Sequence, residues 1–308
     1  MRYALCAMPY SAMTSWAYIP QLLVSGLTLG AAYSLVAIGF VTIARASQII
    51  NFAQGEFVML GGVLTFFLLT RGRLPYPLAA LTAIAIVVLI GFLLHQWVIR
   101  PLRRASVLIL IMATLGASFF LSSASGLTFG SLPKSLPPFS KRQVFEILGV
   151  SIQVQSLWVL LLTFVLLVLL YLLSRRTFLG KAMEASSTDP LGADLLGISR
   201  NRMTLLAFGI SAGVGSIAGI LITPIFYTSY SSGTLLGFKG FIAAVLGGWG
   251  RHRGAVLGGL VLGVVESASV LIIPSGFKDA VAFAILLLIL YFRPKGILGS
   301  PFIDSRRW

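Results

Sequence analysis

The chain has 308 residues, of which 57% are hydrophobic and 10% are charged, whereas a soluble domain carries about 25% charged residues. This composition excludes an ordinary soluble protein and predicts a single polytopic membrane domain. The net charge of +15 does not indicate nucleic-acid binding, because the basic residues lie in short tracts between apolar runs, which is typical of topology signals and of contacts with membrane lipid.

Apolar runs long enough to cross a bilayer as helices, about 20 residues each, recur along the chain. They predict an all-α membrane bundle of eight or nine transmembrane helices, with room for broken helices and inverted-repeat halves. Residues 1–18 are predicted to be an N-terminal extension before this domain, which occupies residues 19–308. The runs are Ile19–Ala44, Gln54–Thr70, Pro77–Val98, Ala105–Ser122, Gln155–Leu173, Met203–Ile222, Gly237–Trp249, Ala255–Ile273 and Asp279–Phe292.

The distribution of arginine and lysine predicts the orientation of these runs. Short loops that are rich in basic residues stay in the cytoplasm. With nine alternating runs, most basic tracts fall on one side, so the N-terminus is expected outside and the C-terminus in the cytoplasm. The outer connection Ser123–Val154 is long enough to form a small external cap, which could contact an extracytoplasmic partner.

Metal chemistry is not expected. The one cysteine, Cys6, excludes an internal disulfide and a cysteine cluster. His95 and His252 are far apart in the sequence, and each lies beside the end of an apolar run. We predict that both histidines are interfacial and that no metal is bound.

Three polar residues, Asn51, Gln54 and Glu56, interrupt the apolar stretch IINFAQGEFVML. Such residues in the first turn of a helix can cap free N–H groups, and the positive end of the helix dipole stabilises a negative charge there. If the helix starts part-way into the membrane, the same groups can line a solute path. Both interpretations remain open for this segment, which also includes Gly55.

Charged residues inside apolar runs are unfavourable in a bilayer and usually face a cavity or a partner. Glu266 lies near the middle of its run, and Lys239 lies near the start of the run before it. Glu266 is therefore a second candidate for the path, with an interior structural anchor as the alternative.

Glycines at four-residue spacing predict close helix packing, which drives association in lipid. Examples are Gly26 with Gly30 and Gly259 with Gly263. The run GGWGRHRGAVLGG predicts a tight turn that leads into a closely packed helix. Its packing candidates are Gly247, Gly248, Gly250, Gly254, Gly258 and Gly259.

The longest inner loop, residues 174–202, contains a strong signal for a short helix. Asp189 is a capping residue, Pro190 fits the first helical position, and Gly197 is a natural stop. Such a helix would carry Leu191 and Leu195 on one face. It could rest on the membrane surface or dock into a groove of a cytoplasmic protein.

Signals of an enzyme are lacking in the sequence. A phosphate-binding loop needs a Gly-x4-Gly-Lys-Ser/Thr spacing, and the nearest stretch, GTLLGFKG, does not have it. No arrangement of a nucleophile with a base, or of paired carboxylates, is convincing. The sequence therefore predicts a non-catalytic chain that uses no nucleotide itself.

Five fragments in order, SGLTLGAAYSLVAIGF, INFAQGEFVMLGG, DPLGADLLGI, GGWGRHRGAVLGG and FRPKGILG, resemble the permease subunits of branched-chain amino acid ABC transporters, in the LivH-like branch. The fragments cover nearly the whole chain from about residue 20. Two departures are clear, since Gln54 stands where many relatives have histidine, and EASSTD replaces a more alanine-rich stretch.

The resemblance implies a bacterial inner-membrane permease that forms half of a translocation pathway. It implies a LivM-like second permease, two ATPase subunits that use ATP and magnesium, and an extracytoplasmic substrate-binding protein; this chain itself would bind no cofactor. The implied cargo is a branched-chain or other hydrophobic amino acid. Urea, short amides, aromatic acids and, outside the family, secondary transport remain alternatives.

The resemblance also assigns roles to residues. Asn51, Gly55 and Glu56 match the signature of the family, and Gln54 and Glu266 are further path candidates. Residues 174–202 correspond to the ATPase-coupling loop of the family and are called the coupling loop below. Its candidate residues are Gly180, Lys181, Glu184, Asp189, Pro190, Leu191, Leu195 and Gly197.

Overall fold

The computed structural model describes residues 18–140, 144–147 and 150–299. The predicted extension lies outside these residues except for Tyr18, which already begins the first helix. The elements in order are α1 Tyr18–Ser47, α2 Gln54–Thr70, α3 Tyr76–Leu94, a π-turn His95–Ile99, α4 Val107–Phe129, β1 Val144–Ile147, β2 Val150–Gln153, α5 Val154–Arg176, α6 Phe178–Thr188, α7 Pro190–Leu195, α8 Arg200–Phe226, α9 Ser232–Gly247, α10 His252–Ser269, a 3-10 turn Ser275–Phe277, and α11 Lys278–Phe292.

The helical class is as predicted, and each predicted run overlaps one helix. Five helices are long and apolar enough to cross a membrane, namely Pro20–Ser47, Tyr76–Ile99, Val107–Phe129, Val154–Arg176 and Arg200–Phe226. Two further apolar helices, α2 and α9, are shorter. The chain is therefore a multi-pass membrane protein, while the count of eight or nine spans stays a prediction.

One small hairpin departs from the all-α prediction. β1 and β2 pair antiparallel, with Val144 opposite Gln153 and Ile147 opposite Val150. Their VFEI and VSIQ sequences are rich in the β-branched and aromatic residues that strands favour. Because α4 continues to Phe129, seven residues beyond the predicted end of its run, the connection between α4 and α5 is shorter than expected.

α1 is the centre of the bundle. It packs against α5, α8, α9 and α10, and its side chains from Ala31 to Ala44 are buried. The two predicted glycine pairs meet here, because a methyl group on Gly30 would lie 2.7 Å from the Leu260 Cα atom, and one on Gly263 would collide with the Gly30 backbone. The α1–α10 contact is therefore backbone against backbone, as small residues four apart allow.

Candidate functional site

α2 begins inside the bundle rather than at its surface. The Gln54 side chain donates from Nε2 to the Ser211 carbonyl at 3.2 Å, and Ser211 Oγ donates to the Gly39 carbonyl at 2.9 Å. Gly39 lies eight residues before the end of α1, which corresponds to about 12 Å along the helix. The first turn of α2 therefore lies beside the interior of α1, among residues that are fully buried in the bundle.

The start of α9 meets the start of α2 inside the bundle. A methyl group on Gly55 would collide with the Gly233 carbonyl oxygen and would lie 2.6 Å from the Gly237 backbone nitrogen. Only glycine at position 55 lets the two backbones approach so closely. Two short helices therefore bring their N-terminal ends, which carry unpaired N–H groups and partial positive charge, to one place.

The Glu56 carboxylate lies between these two helix starts. Its Oε1 atom accepts hydrogen bonds from Ser118 Oγ of α4 and Thr234 Oγ1 of α9, each at 2.9 Å. Its Oε2 atom is buried, has no hydrogen-bond partner and lies against Gly233. Glu56 thus keeps one free acceptor inside the bundle, next to the first turn of α9.

Asn51 and Gln54 have different surroundings from Glu56. Asn51 Oδ1 accepts from the Ala53 backbone N–H at 3.2 Å, which shapes the turn before α2, whereas the expected capping position is occupied by Ala53 without a side-chain cap. Asn51 Nδ2 is buried and unpaired. Gln54 contacts Ser211 through both of its polar atoms, since the Ser211 Oγ atom lies 2.5 Å from Gln54 Oε1 and shares its one proton between this oxygen and the Gly39 carbonyl, so Gln54 joins α2 to α8.

Aromatic rings border the polar segment. Phe52 lies 5.9 Å from Phe238 and 5.4 Å from Phe241 between ring centroids, and Phe241 in turn lies 5.6 Å from Trp249. Phe238 and Phe241 lie on α9, and Phe52 directly follows Asn51, so the rings form an apolar cluster beside the polar segment. The result is an apolar boundary on one side of the buried polar groups.

Glu266 belongs to a separate cluster. Its Oε1 atom lies 2.7 Å from Lys239 Nζ, and its Oε2 atom accepts from Tyr33 Oη at 2.9 Å. Lys239 also lies 2.8 Å from Asp279 Oδ1, which is half-exposed. These contacts join α1, α9, α10 and α11, and in the described part of the chain none of them reaches Glu56. The geometry favours the structural anchor for Glu266 over the path.

The coupling loop contains two helices, and the first of them packs on the end of α1. Glu184 pairs with Arg45 at 2.6 Å, Ser186 Oγ donates to the Ala46 carbonyl at 3.3 Å, and Gln48 Nε2 donates to the Ser187 carbonyl at 3.0 Å. Gly180 lies against the Leu173 and Ser174 backbone, whereas Lys181 is exposed. These three polar contacts therefore fall in the last turn of α1 or just after it.

The second helix of the loop, α7, confirms the predicted local structure. Asp189 Oδ1 accepts from the Gly192 N–H at 3.0 Å, Pro190 begins the helix, and Gly197 has φ +76°. The predicted apolar residues Leu191 and Leu195 are 79% and 89% exposed, and Leu196 is 80% exposed. The two exposed leucines of this short helix and Leu196 at its C-terminal cap form an apolar surface that can contact a partner.

The glycine-rich run adopts the predicted tight turn followed by a packed helix. Gly247, Gly254, Gly258 and Gly259 lie where helices touch, because methyl groups there would meet the Gly254 carbonyl, the Gly247 carbonyl, the Ala243 carbonyl and Ser34 respectively. Gly248 and Gly250 are not helix-packing residues. They form the turn itself, with φ +114° and +90°.

Comparison with known proteins decides the family. The family model of the branched-chain amino acid transport system permease component matches residues 22–290. The chain belongs to this family. The permease is 36% identical to the high-affinity branched-chain amino acid transport system permease protein BraD of Pseudomonas aeruginosa, over 92% of this chain and 97% of BraD.

Two further relatives support the assignment. LivH of Escherichia coli strain K12, a high-affinity branched-chain amino acid transport system permease protein, is 34% identical over 94% of this chain and 98% of LivH. The probable LivH of Methanocaldococcus jannaschii is 28% identical over 89% and 90%. Among solved structures, PsaBC from Streptococcus pneumoniae in complex with Fab is similar with a TM-score of 0.49 and 12% identity; the match covers 92% of the permease and 95% of the PsaBC chain.

Sequence analysis of the permease missed the partners of its polar residues. Ser118 and Thr234, which hold Glu56, are ordinary small polar residues in apolar runs, and no local pattern distinguishes them. Lys239 was a candidate because of its charge, but its pairing with Glu266 and Asp279 depends on how α9, α10 and α11 pack. Within the described residues, no group of three histidine, cysteine or acidic side chains could hold a metal ion.

Proposed function

We propose that the permease is the LivH-like subunit of an ABC importer and carries branched-chain or other hydrophobic amino acids through a pathway that it shares with a second permease. Two cytoplasmic ATPase subunits would drive it and an extracytoplasmic binding protein would deliver the cargo; the permease itself would bind no cofactor. The observation that carries the proposal is near full-length similarity to BraD and LivH.

The geometry supports a direct mechanical link from the coupling loop to the path. α6 contacts Arg45 and Ala46 at the end of α1 and Gln48 just after it, and the six residues from Gln48 to Ala53 lead to the first turn of α2. A force on α7, applied through Leu191, Leu195 and Leu196, would pass through α6 to the start of α2. Rocking of the bundle would then open the segment around Glu56 to one side or the other.

Glu56 is proposed to line the pathway. A buried carboxylate with one unpaired oxygen is unfavourable unless a donor reaches it. A cargo ammonium group or a water molecule can supply that donor when the α2–α9 contact opens, and Phe52 and Phe238 offer an apolar boundary for the cargo side chain. Gln54, whose polar atoms are already engaged, is proposed to set the position of α2 rather than to contact cargo.

The experiment is reconstitution in proteoliposomes. The permease is co-expressed with candidate permease, ATPase and binding-protein subunits from the same genome, and uptake of labelled leucine, isoleucine and valine is measured with ATP hydrolysis. We expect uptake that needs ATP and the binding protein, and hydrolysis that the loaded binding protein stimulates. Uptake by the isolated chain without ATP would instead establish a secondary transporter.

Orientation is tested separately by labelling single thiols. In a Cys6→Ser background, Lys181→Cys reports on the coupling loop and Leu132→Cys on the opposite end of the bundle; both native side chains are exposed. An impermeant reagent applied to intact cells is expected to label position 132 and not position 181. Labelling of position 181 would place the loop outside the cell and contradict the proposed coupling.

A further inference from the structure

A cavity of about 540 Å³ opens on the same face of the bundle as the coupling loop. The end of α1 with the two residues after it (Ser47, Gln48 and Ile49), the π-turn after α3, the start of α4, the start of α8 and one residue of α7 surround it. Its charged lining residues are Arg100, Arg103, Arg104, Arg200 and Asp194, and it is called the arginine cavity below. It is separate from the buried groups around Glu56.

The positive charge of the arginine cavity is not balanced within the described part of the chain. Among the described residues, Asp194 is the one acidic residue of its lining, and the ion pairs found there do not involve Arg100, Arg103 or Arg104. Arg200 makes one hydrogen bond, 3.4 Å long, to the Ser47 carbonyl. Four guanidinium groups around one space repel each other, and an anion between them removes that repulsion.

A buried histidine also lines the cavity. His95, in the π-turn, is 2% exposed, and its Nδ1 atom has no hydrogen-bond partner. Segments of π-helix are rare in proteins, but those that occur often lie at functional sites. The cavity therefore reaches a buried polar residue in addition to the exposed arginines.

The surroundings of the cavity indicate the kind of anion. Val107 lines the cavity and is exposed, and the exposed side chains of Leu108, Ile109 and Met112 follow it along the first turns of α4. Trp97, in the π-turn, is 72% exposed, as is typical of tryptophan at a membrane interface. A basic pocket continuous with a lipid-facing helix suits an anionic head group attached to acyl chains, whereas a free phosphate makes no use of the apolar flank.

We propose that the arginine cavity binds the phosphodiester head group of an anionic phospholipid, with the acyl chains lying along the first turns of α4. The bound lipid would hold the start of α8 and the neighbouring α7 at a fixed depth in the membrane. The inference requires only that the chain is a membrane protein. It depends neither on the cargo nor on the identity of the ATPase partners.

The test is native mass spectrometry of the full chain in detergent, titrated with phosphatidylglycerol or phosphatidylcholine. The cavity variant is Arg103→Gln with Arg104→Gln. The matched control, Arg176→Gln with Arg202→Gln, removes the same charge from two exposed arginines outside the cavity. We expect the cavity variant to bind phosphatidylglycerol about thirtyfold more weakly, and the control to bind like wild type.

Further variants and a competing anion distinguish lipid binding from a free-anion site and from a protein contact. Arg103→Lys with Arg104→Lys keeps the charge and is expected to retain most of the binding, which shows that the site is folded. Equal losses in the cavity variant and the control, or equal binding of the two lipids by wild type, would overturn the proposal. Displacement of the lipid by millimolar inorganic phosphate would identify a free-anion site instead. Normal lipid binding by a cavity variant that no longer assembles with the ATPase subunits would identify a protein contact.

Discussion

Arg45 Nη2 lies 2.6 Å from Glu184 Oε2, so an ion pair joins the last turn of α1 to the coupling loop. Three residues later, Gln48 has φ +60°, a conformation that is uncommon for residues other than glycine, and its side chain bonds to the Ser187 carbonyl. The chain then runs through Asn51 to Gln54. The coupling loop therefore contacts the C-terminal end of α1. The buried polar segment that contains Asn51 and Gln54 follows this end directly.

Removal of the ion pair should uncouple ATP hydrolysis from transport without unfolding the permease. Because Glu184 is half-exposed, Glu184→Gln is expected to lower the free energy of unfolding by about 1 kcal/mol or less, while the amount of leucine taken up per ATP hydrolysed falls severalfold. Proteoliposomes with the partner subunits provide the measurement. Lys181→Gln on the same helix is the control, and an unchanged ratio in Glu184→Gln would remove this contact from the coupling route.

The exposed leucines of α7 predict where the ATPase subunits dock. Leu191→Asp with Leu195→Asp places two charges on the apolar surface and is expected to abolish co-purification of the ATPase subunits, because buried unpaired charges are strongly unfavourable at an interface. Thermal unfolding of the permease should not change, since both side chains are exposed. Leu132→Asp, at another exposed leucine, should leave co-purification intact. Normal recovery of the double variant with ATPase subunits would contradict the docking proposal.

Glu56 should matter for transport more than for assembly. Glu56→Gln keeps the shape of the side chain and an oxygen for Ser118 and Thr234, but it removes the negative charge between two helix starts. We expect about tenfold slower uptake, which corresponds to about 1.4 kcal/mol, within the range of such helix-end charges, with unchanged recovery of the complex. Ser118→Ala removes one hydrogen bond and keeps the charge, so it should have a smaller effect. Unchanged uptake in Glu56→Gln would leave the carboxylate with a structural role alone.

Sequence patterns predicted the elements of this fold better than their contacts. Asp189, Pro190 and Gly197 act within a few residues of themselves, so their helix could be read directly from the chain. Gly30 and Gly263 were predicted to pack because their spacing is local, although the pairing of their two helices was not. By contrast, Ser118 and Thr234 contact Glu56 only because α2, α4 and α9 pack together. No periodic pattern in the sequence indicates which helices pack against each other.

Lys239 and Glu266 should stabilise the bundle as a pair. Removal of one partner from a buried ion pair costs about 3–5 kcal/mol, whereas replacing both by apolar residues is often tolerated. Lys239→Met alone is therefore expected to lower the melting temperature in detergent, and Lys239→Met with Glu266→Leu should recover part of the loss. Lys278→Met, next to Asp279, is the control because its side chain does not join any ion pair of the described chain. Lost uptake with an unchanged melting temperature in Lys239→Met would instead favour a path role for this cluster.

A glycine-to-alanine substitution should have different effects at Gly30, where α1 touches α10, and at Gly116, where α4 has open space. Gly30→Ala places a methyl group 2.7 Å from the Leu260 Cα atom, and since a backbone atom cannot move aside easily, we expect a loss of about 1–3 kcal/mol in the free energy of unfolding. Gly116→Ala in α4 meets nothing within 4 Å and should be neutral or stabilise the helix by up to about 1 kcal/mol. Thermal unfolding of the two variants in the same detergent gives the comparison. Equal melting temperatures would show that α1 and α10 are farther apart than the glycine contacts indicate.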